Sequence, residues 1–376
     1  MRDKISFIEN SNRYKYLWNI PAFLYLFMNA YIRLVDNSQY ALSLCLLSLI
    51  SAGIIGTLKL LYHNKSSIVI YMVFLCVSWF FSFFTRSGWR YDIKLFIYSV
   101  SYIGIAYSLL SNRHCLYPYA GLYYLVSAYI LFKICVLKFP IRGFMLDDSS
   151  YNFISVITLF YLGILCLVQI QNGKKISYIQ AGIYLIICFI AYGRSGILSG
   201  LGLFFLITVI RCMRYRKKAI FFVSTGILFF LLILNGKNIF HQIISSGYFE
   251  KFLLKGFQTE RGMIWKTFLT GNLDNITSFL LGSDPTVLMP DGNLHNSFLQ
   301  MYVSFGLVFF IINTYLIIKS SIFHLKNKNI WLLVVISVVF FRAFADKLFF
   351  RGYCEIIYYY FIFSFLEERP LRRYYK

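Results

Sequence analysis

The chain has 376 residues, 59% of them hydrophobic, 20% aromatic and only 14% charged, with a mean hydropathy of +0.65. A water-soluble domain is about 45–50% apolar and about 25% charged, so a soluble protein is excluded and a polytopic membrane protein expected. The formal net charge of +22 accompanies no RNA- or DNA-binding motif, and the basic residues stand between apolar runs. That excludes a nucleic-acid partner and points to the positive-inside bias of membrane proteins.

Spanning segments need roughly 20 apolar residues each, and with no water to pair their backbone groups they must be helices. The N-terminal MRDKISFIENSNRYKYLW lacks the short apolar core and cleavage site of a signal peptide, so the first span is expected to be retained. Apolar runs predict spans over 17–35, 40–61, 67–85, 93–110, 116–137, 151–170, 176–193, 196–211, 219–235, 296–319, 330–345 and 353–366. The expectation is an all-α single membrane domain over 1–376 with about twelve transmembrane helices. Most of the eight cysteines lie within or at the ends of these spans with no C-x-x-C pair, and read as packing residues.

Arg211, Arg214, Arg216, Lys217 and Lys218 form the clearest basic cluster, which the bias assigns to the cytoplasm. Counting spans from it puts both termini in the cytoplasm and the interval 236–294 outside as one large loop. The outer face still carries Arg86, Arg90, Arg142, Arg194, Arg261, Arg342 and Arg351. A positive surface just above the bilayer suits an anionic ligand such as a pyrophosphate, and lipid headgroups or ion pairs are the plainer explanation for any one residue. Arg342 with Asp346, and Arg351 with Glu355, have the i,i+4 spacing of helical ion pairs.

Within the loop, Asn238–Lys255 and Glu260–Leu269 have the apolar spacing of amphipathic helices that lie on a membrane surface. Gly282-Ser283-Asp284-Pro285 and Pro290-Asp291-Gly292-Asn293 are turn chemistry and return the chain to the bilayer just before His295. There His295 is expected in the first turn of a helix capped by Asn293. The positive end of the helix dipole would keep its imidazole neutral, the form a general base requires. Gly306, about three turns on, would let another helix approach closely. In Gly193-Arg194-Ser195-Gly196-Ile197-Leu198-Ser199-Gly200, Gly196 and Gly200 form a small-xxx-small face, with Arg194 placed to grip phosphate. A capping histidine and a snorkelling arginine are the non-catalytic readings. No Walker loop, metal-ligand cluster, D-x-D pair or serine triad occurs, so no metal and no cofactor is expected.

His295-Asn296, nine residues and then Gly306 resembles the histidine signature of bacterial O-antigen ligases and the related O-antigen polymerases (Wzy). The R-S-G at Arg194, the R-G-x-x-W from Arg261 to Trp265, and one large loop ahead of the histidine helix resemble the same superfamily. The chain departs from the pattern at Gly306-Leu307-Val308-Phe309, where G-x-x-G is frequent. The resemblance implies a GT-C-like, metal-independent glycosyltransferase in the bacterial inner membrane. It would join undecaprenyl-pyrophosphate-linked oligosaccharides at the periplasmic face, among membrane lipids and with a chain-length regulator as a further partner. His295 would be the base, and Arg194 and Arg261 would bind the donor pyrophosphate. Arg86, Arg90, Arg142, Asn296, Arg342 and Arg351 would contribute to substrate binding. An O-antigen ligase, which passes the glycan to a lipid-A core, would use the same parts. A flippase for lipid-linked sugars would instead predict paired repeats, and none is visible.

Overall fold

The computed structural model describes residues 19–83, 89–111, 114–139, 152–191, 193–214, 265–266, 270, 276–283, 294–349 and 354–367. These residues are predominantly helical, with no strand among them. In chain order the helices are α1 (Ile20–Leu34), α2 (Gln39–Tyr62), α3 (Ser66–Phe83), α4 (Trp89–Ser111), α5 (Leu116–Leu131), α6 (Asn152–Gln171), α7 (Tyr178–Ile190), α8 (Arg194–Arg214), α9 (Ile276–Leu281), α10 (Ser297–Lys326), α11 (Ile330–Ala345) and α12 (Glu355–Leu366). A π-helical turn, Phe132–Val136, extends α5. Every expected apolar segment within the described residues is met by a helix; 219–235 lies outside them. Five helices are long and apolar enough to cross a membrane, and several shorter ones are strongly apolar, an architecture compatible with a polytopic membrane protein.

Two helices form the centre. In α6 every residue from Ile154 to Ile170 is buried, and in α12 every residue from Glu355 to Ser364 is buried. A helix apolar on all sides can satisfy itself only by being surrounded. The others wrap this pair and turn leucine, isoleucine and phenylalanine outward, as at Leu47, Leu58, Ile70, Leu125 and Leu198. Helices α2 and α4 approach closest of all. A Cβ on Gly56 would land on the Gly104 carbonyl, and one on Gly53 would lie 2.6 Å from Ser101 Cα. Small residues permit this backbone approach, which brings dispersion and weak hydrogen bonding where lipid offers no hydrophobic drive.

Hydrogen bonds identify the two ends of the bundle. At one end Tyr119 and Ser108 hold His114, Asn172 Nδ2 donates to the His114 carbonyl, Arg211 reaches the Ile176 carbonyl, and His324 meets Ser364. At the other end the N-termini of α6, α8 and α10 meet the C-terminus of α11, and this is where the motif residues gather.

Candidate functional site

Helix α10 begins at Ser297 because Asn296 caps it: Asn296 Oδ1 accepts the Phe298 and Leu299 amides at 2.9 and 3.1 Å. An asparagine at this position satisfies two donors that the first turn leaves unpaired. His295 therefore does not occupy the first turn, as expected from sequence, but precedes the cap, half-buried and at φ +50°. The substitute cap explains the shift; Asn293 lies outside the described residues. A left-handed conformation is uncommon outside glycine and is worth noting at any non-glycine residue.

Both flanks of His295 are tied. On one side Trp265 Nε1 donates to the Leu294 carbonyl at 2.7 Å, and Leu294 is fully buried. Trp265 closes the R-G-x-x-W motif and is bonded to the residue next to His295. On the other side the Ser297 hydroxyl, itself fully buried, donates to the Asp346 carbonyl at 2.8 Å and accepts the Leu348 and Phe349 amides at 2.7 and 3.2 Å. Asp346 in turn accepts from Ser195 Oγ at 3.3 Å and pairs with Arg342 at 2.9 Å. Ser195 follows Arg194, the first residue of α8. Ser195 of the R-S-G segment, Trp265 of the R-G-x-x-W segment and the H-N-S segment, far apart in the chain, thus meet at one end of the bundle.

Arg342 was expected among the substrate-binding groups, and here the finding differs. Its side chain is fully buried. One terminal nitrogen donates to Ser195 Oγ, and the other reaches Asn152 O at 3.1 Å, Ser155 Oγ at 3.0 Å and Asp346. The guanidinium ties α6, α8 and α11 together, which is the i,i+4 ion pair of the sequence extended into a network. Charge-assisted bonds of this kind are roughly twice as strong as neutral ones. Asn296, also a candidate substrate ligand, has its side-chain oxygen committed to capping. Arg90 and Arg194 lie in the first turn of α4 and at the start of α8 respectively; Arg86, Arg142, Arg261 and Arg351 lie outside the described residues. Among the described residues no group of three or more His, Cys, Asp or Glu is placed to hold a metal ion.

The glycines of the R-S-G segment seat α8. A Cβ on Gly196 would lie 2.7 Å from Ser155 Oγ of α6, and one on Gly200 would lie 2.9 Å from Leu185 of α7. Close packing therefore fixes the height at which Arg194 begins its helix. Gly306 does more than admit a neighbour. With φ +82° and ψ 175° it breaks α10, and the short helix α9 docks into the break. A Cβ on Gly306 would land on the Leu280 carbonyl and one on Gly282 (φ +88°) on the Val303 carbonyl. Tyr302 also donates to the Phe279 carbonyl at 2.8 Å. Since Gly306 lies nine residues into α10, about 13 Å along its axis at about 1.5 Å per residue, part of the expected surface loop runs beside the apolar helix instead. Irregular backbone is tolerated at such depth only against protein.

Asp346, Ser297 and Trp265 are the residues sequence reasoning undervalued. Asp346 had a signal in its spacing to Arg342; Ser297 had none beyond following an asparagine. No protein-family model matches the chain, and neither a curated protein nor a solved structure matches it.

Proposed function

We propose that the chain is an O-antigen-type polysaccharide polymerase, an inner-membrane glycosyltransferase with twelve spans, a GT-C-like fold and both termini in the cytoplasm. The observation that supports the reading is the meeting of three motif-bearing segments at one bundle end, through Trp265 to Leu294 and through Ser195 and Asp346 to Ser297. In this reading the site end faces the periplasm and takes undecaprenyl-pyrophosphate-linked oligosaccharides. His295 removes the proton from an acceptor sugar hydroxyl as its oxygen bonds to the donor anomeric carbon. The bond from that carbon to the pyrophosphate oxygen breaks, and the pyrophosphate leaves with the electron pair. Arg194 and Arg261 stabilise the departing charge, a role that preorganised cations fill well in a water-poor site. Arg86, Arg90, Arg142 and Arg351 add positive potential around the headgroup.

The test uses purified protein in detergent with lipid-pyrophosphate repeat units. Polymer formed without any membrane compartment supports the enzyme over a flippase. His295→Ala, Arg194→Ala and Arg261→Ala are each expected to insert normally and leave mostly single repeat units, with a slow but measurable residual extension. Normal long chains from His295→Ala would remove the histidine from the mechanism. Transfer to a lipid-A core without repeat-to-repeat extension would identify a ligase.

A further inference from the structure

The short stretch that follows α11 has no role in the reaction as proposed, yet it is hydrogen-bonded to two of the motif segments. Asp346 leaves α11 in extended conformation at φ −150° and the chain then crosses the start of α10. The Ser297 hydroxyl makes three hydrogen bonds to this stretch, at Asp346, Leu348 and Phe349. The Asp346 carboxylate holds Ser195 and Arg342 on its other side. Leu348 and Phe349 are buried, and the Phe349 ring packs on Phe298 and Phe340. One tetrapeptide thus bridges the first residues of α8 and the first residue of α10.

We propose that Asp346–Phe349 is a clasp that sets the spacing between Arg194 and His295, with Asp346 and Ser297 as positioning residues for glycosyl transfer. The proposal rests on the transferase reading above. Its physical basis is that His295 has no regular structure of its own to hold it. It stands ahead of the cap in a left-handed conformation, and its neighbours are tied, Leu294 on one side and Asn296 and Ser297 on the other. A buried serine hydroxyl saturated by one donor and two acceptor bonds has a single low-energy placement, so it transmits the position of the clasp to the residue two before it. Neither Asp346 nor Ser297 needs to touch substrate for this.

The experiment is a pair of double-mutant cycles on the full-length protein, with kcat and KM measured for polymerisation of lipid-linked repeat units. Ser297→Ala is expected to lower kcat by about 10- to 100-fold, the effect of misplacing a reacting group by about an ångström, with KM little changed. In the His295→Ala background the same substitution is expected to cost nothing more, because Ser297 acts through His295. Asp346→Asn combined with Arg194→Ala is expected to be equally non-additive. An equal fold-loss in both backgrounds would overturn the proposal and leave Ser297 a stability residue only.

Hydrogen exchange supplies a readout that does not depend on activity. Amides of Leu348 and Phe349 are expected to lose protection in Ser297→Ala while those of α6 and α12 keep theirs. Unchanged protection at Leu348 and Phe349 would overturn the clasp itself. Failure of the wild-type protein to form polymer, with protection lost as expected, would instead defeat the transferase reading and with it the catalytic role of the clasp.

Discussion

The Arg342–Asp346 pair predicts an asymmetry that a simple count of interactions would miss. Arg342 is fully buried, whereas the Asp346 side chain keeps 12% of its exposure at the rim of the bundle. Replacing Asp346 by asparagine leaves a buried guanidinium with only neutral partners, Ser195, Asn152 and Ser155. Removing one member of a buried ion pair costs about 3–5 kcal/mol because the remaining charge is uncompensated. Replacing Arg342 by methionine removes the buried charge itself and leaves a carboxylate that water and Ser195 can reach. Its cost is the loss of neutral and charge-assisted hydrogen bonds, about 1–3 kcal/mol. Asp346→Asn should therefore destabilise more than Arg342→Met, by about 2 kcal/mol, and the double variant should fall near Arg342→Met alone. Denaturant unfolding in a single detergent, followed by tryptophan fluorescence, gives the comparison. Equal losses, or a larger loss for Arg342→Met, would mean that Asp346 does not serve as the counter-charge of Arg342.

Four other changes have outcomes set by single positions. Gly306→Ala should greatly reduce folded protein in the membrane, since it combines a left-handed residue, worth about 1–3 kcal/mol of strain, with a methyl driven onto the Leu280 carbonyl. Gly121→Ala, where no atom lies within 4 Å of the added carbon, should leave the yield of monodisperse protein unchanged or improved. Gln300 is fully buried and neither its amide oxygen nor its nitrogen finds a hydrogen-bond partner among the described residues, so Gln300→Leu should raise the thermal midpoint, by removing about 1–3 kcal/mol of unmet desolvation; a lower midpoint would show that the amide is satisfied. His114, in the connection between α4 and α5, is held down by burial from the ordinary 6.5 to about 4, with its ring accepting from Tyr119 and donating to the Ser108 carbonyl. Because the folded value is depressed, its contribution is complete above about pH 6.5 and is lost as pH falls from there to about 4, at about 1.4 kcal/mol per unit. His114→Gln should flatten that acid limb of stability by up to about 3 kcal/mol, and an unchanged limb would show that the folded protein takes up the proton readily.

Much of the helical frame was legible because the apolar runs are long and are separated by short polar stretches, some of which supply a cap. Ser38 and Ser177 cap α2 and α7, with Gln180 completing a capping box at α7. The segment beginning near residue 296 was legible for the same reason, although the cap was assigned to the wrong asparagine. Asn293 and Asn296 are both good caps in isolation, and only the tertiary fixing of Leu294 and Ser297 decides between them. Helix α9 was hidden because six residues, ITSFLL, are too few to display a period. Its partner signal was the glycine at each side of the contact, Gly282 and Gly306, which a single sequence records as a turn and a packing residue. The site fared similarly. Arg194, Arg261 and His295 stood out by residue type, while the groups that bring their segments together are a serine hydroxyl, an aspartate and an indole whose roles exist only in three dimensions.

A left-handed backbone alone does not mark His295 as special, because Asn64, Lys138 and Lys328 share that conformation. Each of those three lies where one helix ends and the chain turns, a place where αL residues close helices routinely. His295 instead precedes a helix, so the conformation satisfies no terminal carbonyls and has to be maintained by its neighbours. The Trp265 indole bond at Leu294, the double cap at Asn296 and the three bonds of Ser297 supply that support within four consecutive residues. Strain sustained by such a density of contacts is characteristic of sites whose geometry matters to chemistry. These contacts come from Trp265 on one side and from the stretch after α11 on the other. A group held from two sides can neither drift toward one substrate nor follow another, which is what the proposed transfer between two lipid-borne sugars would require of its base.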